Sequence, residues 1–267
     1  MKRLLIGIAI IGVIIGGTAL TGCVKVNLAE ENGPLTTQSY DFTGFTGIDI
    51  GNAFELTVTP SDNYSVSVTA GKNLLDHIRV GQDGNTLVFE IDGWTNTWFS
   101  SWYSYPKVNI TMPALTLLKL SGAAKATVTG FQSDNNFNLE LSGASHLNLD
   151  MATGDFRAEF SGASDASGTL TTKDLNIELS GASNIAFTGS GNNIWIRGSG
   201  ASQAKMASFS VNDADIHFSG ASHIRLEVTG RMDVELSGAS SLEYGGNPVL
   251  GNIETSGASD MDRKSTH

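Results

Sequence analysis

The chain has 267 residues and a formal net charge of −11, and only 16% of its residues are charged. An acidic surface without a Lys/Arg-rich segment repels phosphate backbones, which excludes nucleic acids as partners. Glycine is abundant, with 31 residues. Because the glycines recur at regular points, they indicate many tight turns in one large β domain.

The N-terminal segment has the features of a bacterial secretory leader. Two basic residues precede an apolar, Gly-rich run of 17 residues that ends at Leu20, and the sequence Leu-Thr-Gly-Cys ends at Cys23, the single cysteine. This order resembles the lipobox, in which the cysteine is lipidated and becomes the first mature residue. A run of this length is also near the lower limit of a membrane-spanning helix, so an uncleaved anchor is the alternative. We expect a lipoprotein signal peptide over residues 1–22, palmitate on Cys23 and a tether over residues 23–40.

Strand patterns begin after the expected tether. Apolar and polar residues alternate over 54–58, 64–68 and 87–91, and a turn rich in Gly and Asn lies at 81–85. A period of two bounded by Gly and Asn predicts half-buried strands. A short helical turn is expected only around residues 73–77.

An aromatic segment follows these strands and contains three of the four tryptophans. Its rings are Trp94, Trp98, Phe99, Trp102, Tyr103 and Tyr105. Aromatic rings with Ser, Thr and Asn between them can stack on sugars or lie at a membrane interface. They could equally cap an open end of the hydrophobic core. The sequence leaves both functions open, and the segment is the main candidate for a ligand or surface contact.

The second half of the chain is a repeat. Ser-Gly-Ala begins at residues 121, 142, 161, 180, 199, 219, 237 and 256. Positions one and three residues before each serine are almost wholly apolar, and the position between them is charged or His. Similar alternation follows the motif, so each repeat is predicted to be strand, corner, strand and turn.

This repeat predicts the fold class. A spacing of 18 to 21 residues is typical of a solenoid whose repeats bury their apolar faces against their neighbours. Glycine allows the chain to bend at the corner, and the small alanine is expected to fit inside it. We therefore predict an all-β parallel β-helix with rungs of about 19 residues.

Three patterns are candidates for chemistry. A corner serine could be a nucleophile, but eight equivalent copies without a following helix favour a structural role. His146 and Asp165 share a column in adjacent rungs and could act as base and orienting group, although a solvated polar ladder explains them as well. Glu140, Glu159 and Glu178 stack in consecutive rungs and are weak candidates for a divalent metal, against three exposed carboxylates. We predict no catalytic residue, metal or cofactor.

Several segments together resemble the bacterial head GIN domain family, described as "putative auto-transporter adhesin". The resemblance covers residues 41–260 and leaves a tail at 261–267. It rests on the Ser-Gly-Ala-Ser ladder and on the segments 45–50, 54–58, 87–91, 108–115 and 244–248. It implies a right-handed parallel β-helix, often on a lipoprotein, and no established activity or catalytic residue.

These features predict a non-enzymatic, extracytoplasmic lipoprotein of the cell envelope that acts in adhesion, surface binding or envelope structure. Its expected partners are the membrane, through the lipid, and a surface glycan or protein. Two alternatives stay open. One is a carbohydrate-active enzyme similar to polysaccharide lyases, since parallel β-helices often host them. The other is an accessory protein of envelope signalling.

Overall fold

The computed structural model describes residues 33–92 and 105–264, and these form strands and one short helix. The helix is α1 (Lys72–Leu75), and the strands are β1 (Leu35–Tyr40), β2 (Gly47–Ile50), β3 (Glu55–Pro60), β4 (Ser65–Gly71), β5 (Ile78–Asp83), β6 (Thr86–Ile91), β7 (Lys107–Met112), β8 (Leu117–Leu120), β9 (Lys125–Gln132), β10 (Phe137–Leu141), β11 (His146–Ala152), β12 (Phe156–Phe160), β13 (Asp165–Thr171), β14 (Asp174–Leu179), β15 (Asn184–Ser190), β16 (Asn193–Gly198), β17 (Gln203–Val211), β18 (Asp213–Phe218), β19 (His223–Val228), β20 (Arg231–Leu236), β21 (Ser241–Gly246), β22 (Val249–Thr255) and β23 (Asp260–Arg263). Within these two stretches, no helix is long and apolar enough to cross a membrane.

The strands form two facing sheets. The 12-stranded sheet has the order β1-β4-β7-β3-β9-β11-β13-β15-β17-β19-β21-β23, and the 11-stranded sheet has the order β22-β20-β18-β16-β14-β12-β10-β8-β2-β6-β5. From β8 onward, each rung passes from the 11-stranded sheet through a Ser-Gly-Ala corner to the 12-stranded sheet. The predicted β-solenoid with rungs of about 19 residues is confirmed.

The residue columns expected from the repeat match the register in which neighbouring strands pair. Leu139 pairs with Ala158 between β10 and β12, and both side chains are buried. His146 pairs with Asp165 between β11 and β13. Alternate residues of each strand face the core, where apolar side chains of successive rungs pack on one another.

The corners explain the glycine in every motif. Gly162 has φ +73°, and a Cβ atom there would lie 2.5 Å from the carbonyl oxygen of Gly143 in the preceding rung. That oxygen accepts a 2.7 Å hydrogen bond from the amide of Ala163. Glycine is therefore required both for the left-handed backbone and for the close stacking of corners.

The alanine prediction is wrong: the alanine is on the outside of the corner, and the serine after it is inside. Ala144 is exposed, whereas Ser145 is buried. The left-handed glycine reverses the direction of the chain, so the next side chain points outward and the following one starts the inward column. The buried serine hydroxyl bonds locally, as in the 2.6 Å bond from Ser183 Oγ to the carbonyl oxygen of Ser180.

The N-terminal end departs from a simple parallel stack. The rung of β6 and β7 lies outside the rung of β2 and β3, although it follows it in sequence. Strands β1, β4 and β5 pair antiparallel with their neighbours, and α1 buries Leu74 and Leu75 at this end. Strand β1 overlaps the tether expected over residues 23–40, so the folded part begins earlier. Five of its six residues are exposed, and an edge strand of this kind carries no apolar period.

The C-terminal rung is the more exposed end. Val249 and Leu250 of β22 have 70% and 46% of their surface exposed. Strand β23 continues the 12-stranded sheet to Arg263, three residues beyond the domain boundary expected at 260. Its charged, exposed residues mask the alternation that marks the preceding rungs.

Candidate functional site

The outer face of the 11-stranded sheet is the most highly charged surface among the described residues. We call it the acidic face. Its column next to the corners contains Asp49, Lys119, Glu140, Glu159, Glu178, Arg197, His217, Glu235 and Glu254; its central column contains Asn138, Arg157, Asn176, Trp195, Asp215 and Asp233; and its far column contains Asp174, Asn193, Asp213 and Arg231. Ten of these side chains are acidic and four are Lys or Arg. Period-two alternation places all three columns outward because their neighbours in each strand face the core.

A shallow groove of about 870 Å³ follows the column next to the corners. The first serine of each motif forms its other side, from Ser121 to Ser237. Burial raises the pKa of Asp49 at one end, and the charge of Lys119 offsets part of that rise. The hydrogen bond from Lys119 to Glu140 in turn raises the pKa of the lysine. These groups are arranged as a line of paired charges.

The glutamates expected to stack do stack, but two of them have cationic partners. Glu140, Glu159 and Glu178 are paired in register on β10, β12 and β14. Lys119 Nζ lies 2.9 Å from Glu140 Oε2, and Arg157 Nη2 lies 2.9 Å from Glu159 Oε1. In the chain from 33 to 92 and from 105 to 264, no group of three or more His, Cys, Asp or Glu residues is placed to hold a metal ion.

A second groove, of about 600 Å³, surrounds Trp195 at the middle of the acidic face. Trp195 is half-buried, and its ring centroid lies 4.4 Å from the guanidinium carbon of Arg197. The sequence-based candidates included the aromatic segment and did not include Trp195. A signal was present: Trp195 is a large ring four residues before a motif serine, in a column otherwise made mostly of Asn, Asp and Arg.

Neighbouring side chains hold the polar groups of this groove. Asn193 Nδ2 donates to Asp174 Oδ1 at 2.8 Å. Arg231 donates through Nε and Nη2 to the two oxygens of Asp233, at 2.7 Å each. The Arg231 hydrogen bond, together with the backbone amide of Asn252, lowers the pKa of Asp233 to about 2. The groove therefore combines an indole with carboxylates and amides in fixed orientations.

His217 connects the two grooves. Its Nε2 lies 2.6 Å from Asp215 Oδ1, and its Nδ1 lies 2.9 Å from Glu235 Oε2. Both ring nitrogens can donate at once only when the imidazole is protonated. The ring lies between two carboxylates, one on its own strand and one on the next.

The candidate base His146 and its candidate orienting group Asp165 are adjacent, but no hydrogen bond is seen between their side chains. His146 and Asp165 are register partners on the outer face of the 12-stranded sheet. Asp165 Oδ1 instead accepts a 3.1 Å hydrogen bond from Asn184 Nδ2 in the next rung. Hydrogen bonds along such a column are the interactions of a polar ladder.

Most of the aromatic segment, namely Trp94, Trp98, Phe99, Trp102 and Tyr103, lies outside the described residues. Tyr105 is described and has 39% of its surface exposed, with Lys125 Nζ 5.2 Å from its ring centroid. The strands that flank the segment, β6 and β7, belong to different sheets and form one rung. The end of β6 and the start of β7 lie on the edge where later rungs carry a Ser-Gly-Ala corner.

Comparison with known proteins finds a matching family and solved structures of similar fold over most of the solenoid. The family described as "Putative auto-transporter adhesin, head GIN domain" matches residues 44–248. A crystal structure described as a putative lipid binding protein from Parabacteroides distasonis is 16% identical, with a TM-score of 0.79 over 88% of this chain and 98% of the other. One described as a putative adhesin from Parabacteroides merdae is 15% identical, with a TM-score of 0.77 and the same coverage. At identities this low, the structural similarity establishes a shared fold alone. No curated protein matches the chain.

Proposed function

The chain belongs to the head GIN domain family, described as "putative auto-transporter adhesin", and from this premise we propose that it is a non-enzymatic adhesin-type lipoprotein of the cell envelope. Its solenoid binds a ligand on a surface, and its N-terminus is held in a membrane by lipid on Cys23. The observation that supports binding is the acidic face, which presents ordered polar side chains across successive rungs. An extended surface of this kind suits a ligand that contacts several rungs together.

A polar ligand fits this surface better than a lipid does. Lipid binding appears in the description of the P. distasonis relative. The space between the sheets is filled by apolar side chains, including Phe137 and Phe156 with ring centroids 6.0 Å apart. Charged side chains line both grooves, together with serine hydroxyls in the first and asparagine amides in the second. Lipid chains would need an apolar cavity, so we favour a surface glycan or protein.

Lipid anchoring completes the proposal. The sequence Leu-Thr-Gly-Cys ending at Cys23 would leave a lipid on the first mature residue. More than one acyl chain gives stable anchoring, because each buried methylene contributes about 0.8 kcal/mol. Segment 24–34 would then separate the membrane from β1. The acidic face and the aromatic segment would be free to contact a partner outside the cytoplasm.

Surface binding can be tested with a lipid-free chain that starts at residue 24, labelled with a fluorophore. We expect saturable binding to bacterial or host cells that unlabelled protein competes away. Heat-unfolded protein is the control for nonspecific adsorption. If the protein binds saturably to none of the cell types tested, the adhesin role is refuted. If the same preparation cleaves a polysaccharide, the non-enzymatic role is refuted.

Anchoring is tested separately by Cys23→Ser in the full chain. We expect this variant to be left unprocessed by the lipoprotein pathway or to be released from membranes, since no lipid can be attached. Membrane fractionation and metabolic labelling with palmitate measure the two effects. A variant that is cleaved and retained in the membrane like the parent would contradict the lipid anchor.

A further inference from the structure

We propose that the groove around Trp195 binds a neutral glycan, with a pyranose ring stacked on the indole and its hydroxyls bonded by the flanking amides and carboxylates. This inference rests on the proposed role in surface binding and deepens it, because it names the class of ligand and the site. The aromatic segment takes no part in it.

The position of Trp195 gives the groove a stacking surface. The residue lies between Asn176 and Asp215 in the central column, on strands on either side. Arg197, two residues further along the same strand, covers one side of the ring. Trp195 is only half-buried, so part of the ring remains open to solvent. A half-buried indole on an otherwise polar sheet offers the flat apolar surface that the C–H face of a sugar ring requires.

The polar groups around the ring are oriented before any ligand arrives. Asp174 is held by Asn193, Asp215 by His217, and Asp233 by Arg231. Each carboxylate has lone pairs that these contacts do not use, so each can still accept a bond from a hydroxyl. Because the side chains are already fixed, binding costs less conformational entropy than it would on a mobile surface.

One amide beside the ring lacks a partner. Asn176 Oδ1 is enclosed and accepts no hydrogen bond within the described part of the chain. An enclosed acceptor without a donor is unusual in a native structure. A hydroxyl from a ligand stacked on Trp195 could supply the donor after a rotation of the amide.

Charge selects among glycans. The groove is lined by Asp155, Asp174, Asp213, Asp215 and Asp233, against Arg157 and Arg231. Both arginines already contact carboxylates of the same face, at 2.9 and 2.7 Å. An acidic glycan would meet net repulsion here, because the two arginines that line the groove are already paired with carboxylates. Carboxylates and amides instead suit the vicinal hydroxyls of an uncharged sugar.

Titration calorimetry with defined hexasaccharides tests the proposal. The probes are the neutral hexamers of β-1,4-linked glucose, xylose and N-acetylglucosamine, with a galacturonate hexamer as the acidic control and a glucosamine hexamer as the cationic control. The protein is the lipid-free chain that starts at residue 24. We expect at least one neutral hexamer to bind more tightly than either charged hexamer.

Variants assign that binding to the ring. Trp195→Ala should weaken binding by about tenfold or more, and Trp195→Phe should retain most of it because a ring remains. Arg225→Ala, on the other sheet where Arg225 contacts Glu243, is the matched control and should bind as the parent does. All variants should remain folded at the assay temperature, because the substituted side chains lie outside the hydrophobic core.

Three results would overturn the glycan site: no neutral hexamer binds, Trp195→Ala binds as tightly as the parent, or a charged hexamer binds best. The cell-binding assay separates this failure from failure of the proposed function. Cell binding that persists in Trp195→Ala, when no neutral hexamer binds through Trp195, leaves the adhesin role intact and refutes the site. Neutral-glycan binding through Trp195 without any cell binding supports the site and refutes the adhesin role.

Discussion

Gly162 lies in the middle of the stacked Ser-Gly-Ala corners, where both the backbone conformation and the packing require glycine. Its φ is +73°, and a side chain would meet the Gly143 carbonyl at 2.5 Å. We expect Gly162→Val to lower the free energy of unfolding by about 3 kcal/mol or more. Gly81→Val is the control, since an added Cβ at Gly81 meets nothing within 4 Å. Denaturant unfolding measures both, and equal stability of the two variants would contradict the requirement for glycine at the corner.

Asp233 provides a pH-dependent test of the acidic face. Its pKa of about 2 reflects the Arg231 hydrogen bond first and the Asn252 amide second. Because the folded pKa is depressed below the usual value of about 3.9, its contribution to stability is complete above that value. The contribution is lost as the pH falls from about 4 through 2. Carboxyl NMR titration should show this low pKa, and Arg231→Gln should return it toward the usual value. An unchanged pKa in that variant would contradict the pairing.

At single positions, the repeat predicted orientation well wherever strand alternation applies and failed inside the corner. The columns containing His146, Asp165 and Glu140 are in register as expected. The predicted orientation of the corner residues was wrong: the alanine faces outward and the serine after it faces the core. The reason is that a glycine with positive φ interrupts the period of two. Trp195 was missed although its column, four residues before each motif serine, already places it between Asn176 and Asp215.

Among elements, the aromatic segment carries a prediction that separates its two suggested roles. A cap over the N-terminal end already exists in α1, where Leu74 is buried. If the segment contacts a partner, Trp98→Ala and Trp102→Ala should leave the melting temperature unchanged and weaken binding to cells. Leu74→Ala is the contrasting variant and should cost about 2 kcal/mol or more through the cavity it leaves. Calorimetric melts and cell binding measure the effects. Early melting of both tryptophan variants, with normal binding by their folded fraction, would contradict the contact role.

The repeat predicted the rungs from β8 onward because each motif restates the same pattern of burial. The N-terminal elements could not be predicted this way. Nothing local in β6 and β7 indicates that they stack outside β2 and β3, since strand order depends on which apolar faces meet in three dimensions. Strand β1 has exposed residues on both faces and pairs through its backbone, so its sequence carries no period.

Across the whole molecule, stability should follow the nearest-neighbour rule of solenoids. Each rung contacts mainly the rungs on either side, so stability is close to a sum of rung and interface contributions. The two ends differ: the N-terminal end has antiparallel strands and α1, and the terminal rung of β22 and β23 is largely exposed. Loss of a terminal rung should therefore be tolerated better than disruption of a central one.

A chain that ends at Gly246 tests this, because it removes β22 and β23 without changing earlier rungs. We expect it to keep the β-sheet circular dichroism of the remaining rungs and to melt at a lower temperature than the parent. Its solubility should fall, because the new end exposes residues such as Val234 and Leu242, which the last rung covers. Gly162→Val is the comparison, since its strain acts on two interfaces in the middle of the stack. Complete unfolding on truncation, together with a milder effect of Gly162→Val, would mean that the terminal rung governs the whole fold.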